Sequence, residues 1–175
     1  MTNFSGRMVT SFGTGKWQNG GLDCVSWIFT YQLASMHGAI SIANKFHSLL
    51  GFPKDAHGLT HGAGKGLGAE NRDKLDFYKI QYFAYPLNLL SEMKVGDRSA
   101  LDSTFLLYGS RNSRTHTATN YPLVLAGGRN MGYKHGQYLK FENDTPLSNL
   151  FVTIQKRMGA TADTFADSTG SLEMV

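Results

Sequence analysis

The chain has 175 residues, 41% hydrophobic, 12% aromatic and 17% charged, and its 17 Lys and Arg against 13 Asp and Glu give a net charge of +4. It carries too much apolar and aromatic residue for intrinsic disorder. Its single cysteine closes no internal disulfide and starts no cysteine zinc cluster, and no apolar run approaches the roughly 20 residues of a membrane span.

Residues 1–21 are polar and glycine-rich and read as a flexible N-terminal segment, without the apolar core of a secretory signal. Residues 22–175 read as a single domain. Val25, Trp27, Phe29, Tyr31 and Leu33 alternate with Ser26, Ile28, Thr30 and Gln32, which is strand periodicity. Trp27, Tyr31 and Ala34 also share a helical face, so a helix from Leu22 competes. Ile40 to Leu50 is a short helix candidate closed by Gly51 and Pro53. Asp55 to Gly68, rich in Gly and His, reads as a loop. A long helix is expected over Ala69 to Lys94, with Leu75, Tyr78, Tyr82, Leu89 and Met93 near its buried face. Pro86 removes a backbone bond there and is expected to kink or split the helix.

Thr104 to Tyr108 and Tyr121 to Ala126 are short apolar runs ended by glycine, the pattern of strands buried on both faces. Tyr138 to Phe141 is a further short strand candidate. Pro146 to Met158 is the clearest helix: Thr145 suits the N-cap, Leu147, Leu150, Phe151, Ile154 and Met158 form the stripe, and Gly159 stops it. This order predicts an α/β layered fold, a short and mostly parallel sheet flanked by helices. Ligands of such sheets bind beyond the carboxyl ends of the strands, where Gly109 to His116 and Gly127 to Asn130 would lie.

The strongest chemical signal is His57-Gly-Leu-Thr-His61. Two histidines four apart can offer imidazole nitrogen to one divalent metal, and on a helix that spacing puts both rings on one face. His116 follows a predicted buried strand, where a ligand is needed. Asp102, Asp144, Asp163 and Asp167 are carboxylates that could complete a shell, and spacing does not choose among them. Gly62, Gly64, Gly66 and Gly68 lack the Gly-Lys-Ser/Thr ending of a phosphate-binding loop. Ser110 lacks the glycines of a nucleophile elbow, and Cys24 has no local base to activate it. Basic residues are scattered rather than clustered, so no nucleic-acid partner is expected.

Phe83-Ala-Tyr, Leu101-Asp-Ser-Thr-Phe-Leu-Leu-Tyr-Gly-Ser110, Asn120-Tyr-Pro-Leu-Val-Leu-Ala-Gly-Gly128, Thr145-Pro-Leu-Ser-Asn-Leu-Phe and Asp167-Ser-Thr-Gly-Ser-Leu follow one another in the chain. In this order they resemble the C-terminal part of the HXXSHH family, a bacterial family of undetermined function that looks related to the alkaline phosphatase and sulfatase superfamily. The family's His-x-x-Ser-His-His motif corresponds to His57-Gly-Leu-Thr-His61-Gly62, with Gly62 in place of the last histidine. A second motif is matched by His116 and Asn120, with Ala118 where another histidine is expected. The resemblance implies a partial alkaline-phosphatase-like fold and metal-assisted hydrolysis of a small anionic phosphate or sulfate ester. It implies His57, His61 and His116 as ligands of a divalent metal (zinc, calcium or magnesium), the remaining ligands and the nucleophile lying in a portion this chain lacks. It further implies an exported protein, although the chain shows no signal peptide. A core built for a larger sheet would leave open edges, so self-association is expected. The alternative is a non-catalytic binding domain of the same fold, favoured by the histidines missing at Gly62 and Ala118.

Overall fold

The computed structural model describes residues 8–9, 16–17, 24–25, 30–31, 51, 59, 61, 67–110, 113, 117–120 and 122–173. The chain divides into two compact units, Met1–Tyr82 and Phe83–Val175. It is a mixed α and β protein. In the first unit, β1 (Met8–Val9) pairs antiparallel with β4 (Thr30–Tyr31), and β2 (Lys16–Trp17) with β3 (Cys24–Val25). Strand conformation at Cys24–Val25 and Thr30–Tyr31 agrees with the period-two reading at those positions. The expected helix over residues 40–50 and the boundary at residue 21 lie outside the described residues.

The helix α1 spans Leu67–Glu92. Glu70 sits in its first turn, where the helix dipole favours an acid. Arg72 Nε lies 2.6 Å from Asp76 Oδ2 one turn on, and Lys79 Nζ 3.7 Å from Asp76 Oδ1. The Tyr78 and Tyr82 rings meet edge to face, 5.0 Å between centroids, with their hydroxyls 2.8 Å apart. Such i,i+3 and i,i+4 pairs each add about 0.2–0.5 kcal/mol.

The less exposed stripe runs through Leu75, Tyr78, Tyr82, Phe83, Pro86, Leu87 and Leu90. Leu89 and Met93, expected on that face, are 47% and 57% exposed. A repeat of 3.6 residues counted from Leu75 falls between Leu89 and Leu90. Phe83 and Leu87 pull the stripe to the Leu90 side, so the reading was one residue off at the far end. Pro86 neither ends nor splits the helix. It still removes one backbone bond and crowds the Tyr82 carbonyl. Pro86→Ala is therefore expected to raise unfolding free energy by up to about 3 kcal/mol, read as a higher urea midpoint at unchanged slope.

The second unit continues with a tight hairpin absent from the sequence reading. Strand β5 (Lys94–Val95) pairs with β6 (Arg98–Ser99) across Gly96-Asp97. Gly96 has φ 62°, the left-handed value that two-residue hairpin turns require. A 3-10 turn, Ala100–Ser103, follows, and its Asp102 carboxylate accepts the Ser99 backbone N–H at 3.3 Å. Strand β7 (Phe105–Gly109) then pairs with β8 (Leu123–Gly127), Phe105 opposite Gly127 and Gly109 opposite Leu123.

Both strands lie within one residue or two of their predicted positions, but the pair is antiparallel and corrects the expected parallel arrangement. A parallel pair needs a crossover that returns the chain to the starting end, usually a helix. The polar connection over 110–122 offers no such helix among its described residues. The expectation of strands buried on both faces holds for one face only: Val124, on the other, is 44% exposed. Phe105, Leu107, Leu123 and Leu125 pack towards Tyr133, Leu150 and Ile154. On the opposite face Tyr108 stacks on Phe83 of α1, 5.0 Å between centroids.

Residues 138–141 form no strand. Leu139 and Phe141 reach the core while Tyr138 is 89% exposed, so the alternation exists without a ladder partner. Helix α2 occupies Ser148–Arg157. Thr145 does not cap it: its N–H closes a turn on Glu142, and single turns from Pro146 and Leu147 lead into the helix. Its end is as expected, with Gly159 at φ 73° and the Gly159 and Ala160 N–H groups bonded to Lys156 and Gln155 carbonyls.

Leu150 and Ile154 lie in the core as predicted, but Leu147 is 37% exposed while Val152 and Thr153 are buried. The second buried side of α2 comes from the C-terminal segment. Asn149 Nδ2 donates to Thr169 Oγ1 at 3.1 Å and its Oδ1 accepts the Thr169 N–H at 2.8 Å. Thr153 Oγ1 accepts the Leu172 N–H at 2.6 Å. These two polar residues are buried because a returning chain satisfies them.

The Tyr133 hydroxyl is buried with no partner among the described residues. Burial pushes its phenol up to about 12 from 10, against a smaller opposing effect of Arg157. The folded chain thus holds this proton more tightly than the unfolded chain. The contribution is complete below pH 10 and is lost as pH rises towards 12. Tyr133→Phe is expected to flatten the fall in stability over that alkaline interval, measured by urea unfolding at stepped pH.

Candidate functional site

Of the three predicted metal ligands, His61 is described; His57 and His116 lie outside the described residues. His61 is exposed and, like buried Leu59, has helical backbone, which corrects the loop expected at these two positions. Helical backbone is the geometry in which residues four apart share a face. As a donor, the imidazole nitrogen of His61 suits zinc better than calcium or magnesium, which prefer oxygen ligands.

The carboxylates named from the sequence are engaged separately. Asp102 lies 4.0 Å from Arg129 and accepts the Ser99 N–H; Asp163 pairs with Lys156 at 3.1 Å. Asp144 and Asp167 are exposed. Among the described residues no three His, Cys, Asp or Glu side chains stand together to hold a metal ion. Among them, too, no helix is long and apolar enough to cross a membrane.

The two segments expected to flank one ligand site are at opposite ends of the β7–β8 pair. In a parallel sheet Gly109 and Gly127 would both end at the carboxyl edge. Here Gly109 lies opposite Leu123 and Gly127 opposite Phe105, which separates the two strand ends by about 14 Å. At the Gly109 end, Ser113 N–H and Oγ both bond the Thr117 carbonyl, at 3.0 and 3.4 Å, and bracket the position of His116 in the sequence. Asn120, matched to the family's second motif, has φ 52° and is exposed.

At the other end, Gly127 and Gly128 turn the chain with φ 79° and 72°. His135 Nε2 donates to the Gly127 carbonyl at 2.5 Å, fixing the next segment to the strand end. Asn130 accepts from Arg98 Nη1 at 2.7 Å and donates to Ser103 Oγ at 2.9 Å. The sequence reading singled out Gly127 to Asn130 but missed Arg98 and His135. Their partners are 32 and 8 residues away, a separation that leaves no local pattern. No family model, curated protein or solved structure matches the chain.

Proposed function

We propose that the chain is an HXXSHH-type domain of the metal-dependent phosphate- or sulfate-ester hydrolase class, with zinc bound by His57 and His61. His116 is the third ligand that the resemblance assigns. The observation that supports this reading is the helical backbone at Leu59 and His61, since a helix is the conformation in which histidines four apart share a face. Strands apolar on both faces, with Phe83 of α1 on one side and α2 on the other, support the layered alkaline-phosphatase-like fold.

A bound divalent cation lowers the pKa of a coordinated water and polarises an ester oxygen. The imidazoles supply neutral nitrogen donors. By the same resemblance the protein is exported, takes a small anionic ester and self-associates through open strand edges. Gly62 and Ala118 favour a second reading, in which a binding domain keeps the fold without turnover.

The test is the metal content of the purified chain after zinc reconstitution and desalting. Near-stoichiometric zinc is expected in the parent, with a loss of at least tenfold in His57→Ala/His61→Ala. A folded parent without zinc would overturn the metallohydrolase reading. Turnover of aryl phosphates or sulfates by the zinc-loaded chain would overturn the binding-domain reading.

A further inference from the structure

We propose that the exposed segment carrying Lys134, Tyr138 and Lys140 binds a sulfated polysaccharide. The sequence holds no Asp or Glu between Asp102 and Glu142, while Arg129, Lys134 and Lys140 all fall in that interval. The segment over residues 133–141 is pinned repeatedly. Tyr133, Leu139 and Phe141 are held in the core, and His135 is tied to the end of β8. Between these anchors Lys134, Tyr138 and Lys140 are exposed, Tyr138 by 89%.

Folding explains the anchors but not a bare aromatic ring between two lysines. Pinning lowers the ordering cost of binding, because the segment is already fixed before a ligand arrives. The charges call for an anionic partner. A ring at this exposure offers a flat apolar face to stack on one sugar, with cations on either side for ester oxyanions on its neighbours. Single-stranded nucleic acid is disfavoured because it needs aromatics for successive bases, and Tyr138 is the one exposed Phe, Tyr or Trp of this segment. The surface uses none of His57, His61 or His116, so it goes beyond the hydrolase reading and does not depend on it.

The test is fluorescence anisotropy of labelled dextran sulfate with the full chain in a chelating buffer, beside unsulfated dextran and oligo-dT. Chelation removes the metal from the question. Dextran sulfate is expected to bind and unsulfated dextran not to bind, with affinity falling as salt rises. Lys134→Gln/Lys140→Gln is expected to weaken binding at least fivefold and Tyr138→Ala at least threefold, each with the parent's circular dichroism. No binding by the folded parent, equal affinity for oligo-dT, or an unchanged affinity in Tyr138→Ala would each overturn the proposal.

Discussion

Gly127→Ala is expected to destabilise the second unit by about 2–5 kcal/mol, the sum of left-handed strain and steric overlap. Gly127 ends β8 at φ 79°. A Cβ there would meet the Thr104 carbonyl, with Leu101 Cδ1 at 2.7 Å and the Leu101 carbonyl oxygen at 3.0 Å. Two of those three are backbone or close to it and cannot swing aside. The Leu101 carbonyl also accepts the Gly128 N–H at 2.9 Å, so the overlap falls on a bond that joins the turn to the 3-10 segment. Gly136 provides the control. Its φ is 81°, yet nothing lies within 4 Å of its would-be Cβ, so Gly136→Ala carries the strain of about 1–2 kcal/mol alone. Urea unfolding should show Gly127→Ala losing about 1–3 kcal/mol more than Gly136→Ala, the cost of the overlap alone. Equal losses would show that the close approach at Gly127 is not present in solution.

Leu150→Ala is expected to cost about 2–5 kcal/mol through lost burial and the cavity left behind. Leu150 is 5% exposed and lies with Tyr133 and Ile154 where α2 meets the β7–β8 pair. Phe105, Leu107, Leu123 and Leu125 reach it from the sheet, and Leu139 and Phe141 from the segment that follows. For a unit of this size the midpoint should fall by roughly 4–8 °C per kcal/mol. Leu89→Ala on α1 is the comparison. Leu89 is 47% exposed, and surface truncations usually stay near 0.5 kcal/mol. A thermal shift for Leu150→Ala no larger than that of Leu89→Ala would refute this core.

Elements with a strong local signal were legible. Helix α2 announced itself through the spacing of Leu150 and Ile154 and through Gly159, whose left-handed φ of 73° satisfies the final carbonyls. The runs around Leu106 and Val124 read as strands because they are apolar at consecutive positions; one face packs on the core, while the other is covered at Tyr108 by Phe83 and open at Val124. Helix α1 was legible in extent but not in facing. Phe77, Ile80, Phe83, Tyr85 and Leu89 spread apolar residues around most of its circumference, so periodicity there does not select one stripe. Pro86 does not split the helix, because a local penalty of about 3 kcal/mol is smaller than what a 26-residue helix gains from continuing. The candidate site was legible as residue types: His61 stands in helical backbone, which no pattern in a glycine-rich stretch could announce.

The sequence by itself determined which stretches are apolar, where α2 stops, that the chain turns after β8 at Gly127, and which histidines have metal-ligand spacing. These are properties of one residue or of neighbours within a turn. Tertiary structure alone decided the antiparallel sense of β7 and β8, the opposite placement of the Gly109 and Gly127 ends, and the burial of Asn149 and Thr153 under the returning C-terminal segment. Each of those depends on partners 19 or more residues apart or on the path of a connection. Burial and strand pairing are energies of contact between segments, and no local pattern encodes which segment will arrive.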